Sequence, residues 1–259
     1  MKYLFICFLI SCCLLNAQQS IELTLLDSKD LKVDQILRVD AFQTLFYIKD
    51  NTVYKTSQQG TYNYNTLQLG SITSANSFNP LKINAFYRDF NTVVILDNRL
   101  AEIFKIDFNT IDNYKNVTHI STGNDNTIWL YNQDTNQLEL YNYLTNTTRA
   151  QTLPIAETVL DLKSDYNFCW LLTEQHLYVY NYFGSLIKKI PNAGFTRLAV
   201  SNENCILLKK DTLFLLKENT EEVIPLELPQ LLINQFLLTN ETVYIYDLEK
   251  LHRLLIKTN

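Results

Sequence analysis

Glycine, proline, histidine and methionine are all scarce in this chain of 259 residues: five Gly, five Pro, three His and one Met. With so few glycines the sequence holds no GxGxxG and no P-loop, and it has no G-x-S-x-G either, so nucleotide cradling and nucleophile-elbow chemistry have no motif to rest on. The histidines, His119, His176 and His252, show no ligand spacing, and with five cysteines they leave little material for a metal site. No metal and no cofactor are expected. Basic charge is not in excess: 22 Lys+Arg face 27 Asp+Glu, a net charge of −5. That balance argues against nucleic acid or an anionic membrane as principal partner, because both reward clustered Lys and Arg. Helical periodicity is missing too, since no segment keeps apolar residues at i, i+3, i+4 and i+7 through three turns.

What the chain does have is 47% hydrophobic residues, enough to bury a core. The first apolar stretch follows Lys2, covers residues 3–15 and ends at Asn16-Ala17-Gln18. A positive start, a short apolar region and a small residue at the boundary read as a secretory signal over residues 1–17, cut after Ala17. Thirteen residues are too few to cross roughly 30 Å of hydrocarbon as a helix, so no transmembrane span is expected. A competing reading is a bacterial lipobox over residues 9–12, which makes Cys12 a lipid anchor in the cell envelope. Either way the chain is expected to be exported, to the periplasm or beyond, with residues 18–259 as one domain.

From Ile21 onward, runs of five to eight Val, Ile, Thr, Tyr and Phe are broken by Asn, Asp and Ser. One five-residue strand recurs at 44–48, 92–96, 127–131, 168–172, 204–208 and 242–246. Its second positions are Leu45, Val93, Ile128, Cys169, Cys205 and Val243, at intervals of 48, 35, 41, 36 and 38. The recurring strand is almost wholly apolar instead of alternating. That pattern fits a strand covered on both faces, not one in a two-layer sandwich.

A repeat of about 40 residues holding three or four short strands resembles a β-propeller blade. The resemblance is to a divergent six-bladed propeller of the WD40-like or NHL-like superfamily, of the exported bacterial type, without the Gly-His…Trp-Asp signature. It implies an all-β fold of four-stranded antiparallel blades. The sixth unit ends after its third strand, near residues 251–257, while residues 21–26 belong to no unit. Pairing the two would let the N-terminal strand complete the last blade and close the ring.

Each unit places an acid beside the turn after its recurring strand: Asp50, Asp97, Asp134, Glu174, Asp211 and Asp247. On one face they would form a ring able to hold cations or a basic ligand. The plainer reading is hairpin chemistry, since Asp and Asn suit tight turns. Tyrosine pairs at 62/64, 141/143 and 180/182 are candidate stacking platforms or, more plainly, covers for blade edges. Trp129 and Trp170 occupy equivalent positions and are expected as plugs between blades. Cys169 and Cys205, one blade apart, are expected as buried free thiols, because the separation of second strands exceeds the roughly 7 Å that a disulfide allows. The function expected is a non-enzymatic platform for a protein or cell-envelope component. The alternatives are a secreted carbohydrate-active hydrolase or lyase with acids at the axial mouth, and a structural subunit of a surface assembly.

Overall fold

Short apolar strands separated by Asn-rich turns can satisfy their backbone only by pairing, and can bury two faces only by stacking sheet on sheet. The computed structural model describes residues 20–216 and 220–256; the proposed signal and Cys12 lie outside the described residues. Among those described there are 24 strands and no α-helix.

The chain enters through β1 (Ile21–Asp30). Blade one is β2 (Gln35–Val39), β3 (Leu45–Lys49), β4 (Thr52–Ser57) and β5 (Gly60–Tyr64). Blade two is β6 (Ser74–Asn76), β7 (Ile83–Tyr87), β8 (Thr92–Leu96) and β9 (Glu102–Asp107). Blade three is β10 (Val117–Thr122), β11 (Thr127–Asn132), β12 (Gln137–Asn142) and β13 (Thr147–Gln151). Blade four is β14 (Val159–Ser164), β15 (Phe168–Thr173), β16 (His176–Asn181) and β17 (Leu186–Pro191). Blade five is β18 (Arg197–Ser201), β19 (Asn204–Lys209), β20 (Thr212–Leu216) and β21 (Val223–Glu227). Blade six is β22 (Gln235–Thr239), β23 (Thr242–Tyr246) and β24 (Lys250–Ile256), completed by β1.

The first four blades are separate antiparallel sheets, whereas blades five and six are continuous in one eight-stranded sheet. The continuity is slight. β1 meets β21 in a two-residue parallel contact, Ile21 with Leu226 and Glu22 with Glu227. Against β24 it runs antiparallel from Leu23–Ile256 to Asp30–Lys250, with a bulge between Leu25 and Asp27. The N-terminal strand thus closes the ring as the repeat arithmetic anticipates.

Six apolar clusters form the core, each shared by two neighbouring blades. Phe46 and Val53 of blade one meet Ile83 and Leu96 of blade two, and Val93 and Ile95 meet Ile128 and Leu130 of blade three. Trp129 and Leu138 meet Cys169 and Leu171 of blade four, and Trp170 and Leu172 meet Cys205 and Leu207 of blade five. Ile206 and Leu213 meet Val243 and Ile245 of blade six, and Tyr244 and Tyr246 meet Ile36 and Val39 of blade one. Alternate residues of a middle strand face opposite neighbours, which is why those strands carry no polar alternation: all six residues of β11 are buried, while outermost β5 is largely exposed. Each fully buried Leu, Ile or Phe contributes about 1.5–3 kcal/mol. Trp129 and Trp170 are buried at equivalent positions, and both described cysteines are free and buried.

One sequence alignment slips. The segment 92–96, taken as the recurring second strand of unit two, is β8, the third strand of its sheet. The second strand is β7, which is equally buried over its whole length. Two adjacent all-apolar strands made the choice ambiguous. Counting from Leu45 to Ile83 instead, the first interval shortens from 48 to 38 residues. Among the described residues Asn supplies six of the thirteen non-glycine positions of left-handed φ: Asn51, Asn91, Asn136, Asn146, Asn202 and Asn240, with φ between 48° and 56°.

Candidate functional site: the axial channel

The innermost strands β2, β6, β10, β14, β18 and β22 run in the same direction around the axis. The turns joining first to second and third to fourth strands therefore share one end, here the upper face. The second-to-third turns and the connections between blades share the lower face.

Five of the six turn acids, Asp50, Asp134, Glu174, Asp211 and Asp247, lie in second-to-third turns on the lower face. Asp97 does not: it sits between β8 and β9, a third-to-fourth turn on the upper face. The residue that takes its place below is Asp89, in the 3-10 turn Arg88–Phe90. None of the six lines the axial channel. Asp97 Oδ1 accepts the backbone N–H groups of Arg99 and Ala101 at 2.8 Å. Asp134 Oδ1 accepts from Asn116 Nδ2 at 2.8 Å. Asp247 Oδ1 accepts from the N–H groups of Glu249 and Lys250, and its Oδ2 meets His252 Nε2 at 2.9 Å. Burial pushes the Asp247 carboxyl up, but the bonds from His252, Lys250 and Glu249 outweigh it and hold the group at about 2. These are the bonds of turn closure.

The tyrosine pairs turn largely inward. Tyr141, Tyr143 and Tyr180 are buried between blades, and Tyr182 donates its hydroxyl to the Asp165 carbonyl and packs edge-on against Trp129 at 5.5 Å. Tyr62 and Tyr64 remain on outermost β5.

Two side-chain constellations had no sequence signal: one joins residues 224 positions apart, and the other gathers four residues in and just before blade four that match no motif. Ser28 Oγ lies 2.7 Å from His252 Nδ1, the ring that Asp247 holds through Nε2, so a hydroxyl, an imidazole and a carboxylate stand in line across β1 and β24. In the second, Glu157 accepts from Tyr178 Oη at 2.7 Å and Thr173 Oγ1 at 2.5 Å and meets His176 Nδ1 at 2.9 Å. Neither group lines the axial channel, and both tie strands together.

The axis is different. A cavity of about 270 Å³ is walled by β2, β6, β14, β18 and β22 and contains Arg38, Lys163 and Arg197 together with one carboxylate, Asp161. Asp161 is committed: it accepts from Leu198 N at 3.0 Å and pairs with Lys163 Nζ at 3.1 Å. Arg38 Nη1 donates to the carbonyls of Ser77 and Phe78. Burial lowers its pKa, opposed by Asp40 and Tyr166. Phe78 of blade two meets Tyr166 of blade four at 4.6 Å, bridging the upper mouth past blade three. Arg38 lies over the same Phe78 ring at 5.6 Å. Arg197 opens β18 and so marks the lower end, whereas Arg38 and Lys163 are next to last in β2 and β14 and mark the upper end. Among the described residues no cluster of His, Cys, Asp and Glu could hold a metal ion, and no helix is long and apolar enough to cross a membrane.

A ring of stacked four-stranded sheets with a lined axial channel defines a β-propeller, and solved structures of similar fold are propellers of WD40 and lyase kinds. Virginiamycin B lyase from Staphylococcus aureus aligns over 93% of this chain and 97% of its own, with a TM-score of 0.62 and 10% identity. The RRP9 WD40 repeats align over 91% of this chain and 100% of theirs, with a TM-score of 0.62 and 8% identity. A chain of the mitotic checkpoint complex aligns over 93% and 94%, with a TM-score of 0.60 and 9% identity. No protein-family model matches the sequence, and no curated protein matches it. The chain is a β-propeller in fold and divergent in sequence.

Proposed function

We propose that this protein is an exported, non-enzymatic propeller that binds a protein or cell-envelope component at its upper axial mouth. The observation that carries the reading is the channel itself: a lined cavity at the ring axis with two cations and a bridging aromatic pair at its upper end. Ligand sites favour such concavities, where a few polar groups converge among apolar ones. The upper face also exposes Phe42, Leu81 and Phe183, side chains suited to anchoring a partner. The two-carboxylate chemistry of a glycosidase would need a pair about 5–9 Å apart. The channel lining offers only Asp161, already bonded to Lys163 and Leu198.

The test is capture from envelope extracts with the purified chain, Tyr166→Ala and Phe42→Ser on the upper face, and Leu153→Ser in the exposed lower-face connection between β13 and β14. A partner retained by the wild type and Leu153→Ser but lost from the upper-face variants is expected. Equal capture by all four would overturn the reading. N-terminal sequencing of the exported chain, expected to start at Gln18, separates cleavage after Ala17 from lipidation at Cys12.

A further inference from the structure

Taking the upper mouth as the binding site, we infer that it receives the carboxylate of an acidic peptide segment, placed between Arg38 and Lys163 beneath the Phe78–Tyr166 pair. Three observations meet there.

The first is charge. The protein is acidic overall, so a general attraction for acidic partners is excluded, yet the upper end of the channel carries two cations with capacity to spare. Among the described residues no carboxylate lies within ion-pair distance of Arg38. Its nearest acid, Asp40, is engaged with the N–H groups of Phe42 and Thr44. Arg38 spends Nη1 on two carbonyls, which fixes the guanidinium plane and leaves Nε and Nη2 for the fork geometry that carboxylates favour. Lys163 is bonded to Asp161, but its side chain is 43% exposed, so it can turn to a ligand.

The second is an orphaned group. Ser77 lines the channel next to Arg38's carbonyl partners, is 1% exposed, and its hydroxyl has no hydrogen-bond partner. A buried hydroxyl left unpaired is costly, and a carboxylate oxygen reaching this wall would satisfy it.

The third is shape. At about 270 Å³ the cavity lies below the usual range for a drug-sized ligand, and it suits one acidic side chain better than a folded element. Tyr166 is 67% exposed and free to lie along an incoming backbone, while Phe42, Leu81 and Phe183 on the same face give a peptide apolar footing that a uronic acid would not use.

Calorimetric titration of the full chain tests this with four ligands at millimolar concentration: a capped peptide carrying a Glu-Glu pair, its Gln-Gln counterpart, free glutarate and a galacturonate oligomer. The Glu-Glu peptide is expected to bind at least tenfold more tightly than Gln-Gln, and to weaken as salt rises. Lys163→Gln and Arg38→Gln should each cost about tenfold, as expected for one charge-assisted bond, while Lys210→Gln, exposed in the lower-face turn between β19 and β20 and outside the channel lining, leaves affinity unchanged. Weaker binding of glutarate than of the peptide supports a peptide source. Equal binding of the two peptides, no binding of either, no effect of Lys163→Gln, or binding of galacturonate alone overturns the inference. Lys163 is largely solvated, so its variant keeps the test decisive even if Arg38→Gln unfolds. Should an envelope partner be lost on Tyr166→Ala yet remain indifferent to salt and to Lys163→Gln, the platform reading stands and the acidic-ligand inference fails.

Discussion

His119 and the Lys115–Glu139 pair show how single side chains are set by the spaces between blades. Burial is the main cause that lowers His119 to about 4; Asp161 opposes it, and Arg88 and Lys163 reinforce it. The unfolded chain takes up this proton near 6.5 and the folded chain only near 4. Acidification through that window therefore favours unfolding: stability present above about 6.5 declines until about 4 and then levels. A proton-NMR titration of the ring should show a midpoint near 4, and His119→Gln should remove that part of the acid limb in urea denaturation. Lys115 Nζ sits 2.5 Å from Glu139 Oε2, both buried, with Asn132 and Thr148 also donating to the carboxylate. Glu139→Ala leaves a buried ammonium unpaired and should cost about 3–5 kcal/mol, whereas the double replacement Lys115→Met with Glu139→Leu should cost much less. Equal losses in the two urea midpoints would refute this. Nothing in the sequence marks these residues, because the charges that set them lie 24 positions or more away.

For whole strands the sequence is far more legible. A strand between two neighbouring sheets must be apolar at successive positions, and that requirement made five of the six second strands readable from the string alone. It failed at blade two because β7 and β8 are both buried at all five positions, so composition could not say which came second. The slip moved Asp97 to the wrong face on paper. The channel was less legible still, since innermost strands mix polar and apolar residues and only the closed ring brings Arg38, Ser77 and Lys163 together. β1 offers the sharpest test at this scale. Leu23 is its one buried residue, packed among Ile206, Val243 and Leu254. Leu23→Ala should cost about 2–5 kcal/mol by chemical denaturation. A loss under about 0.5 kcal/mol, typical of surface sites, would show that β1 is not docked.

The closed ring depends on its last joint. Blades six and one share the smallest apolar cluster among the described residues, five buried side chains, supplemented by Tyr246 Oη accepting from Val33 N and by Gln235 Oε1 accepting from Ile36 N. Tyr246→Phe removes that acceptor and keeps the ring's bulk, so opening is expected to start there. Hydrogen exchange should speed first in β2 and β22, and uniform acceleration around the circle would contradict it. The pairing of β1 with β24 has a consequence in time as well. β1 must wait for β24, more than 200 residues later, before it gains its antiparallel partner. Long-range closure of this kind is slow. Until Lys250–Ile256 has emerged the ring cannot lock, so a growing chain stays open while the other five blades are already made.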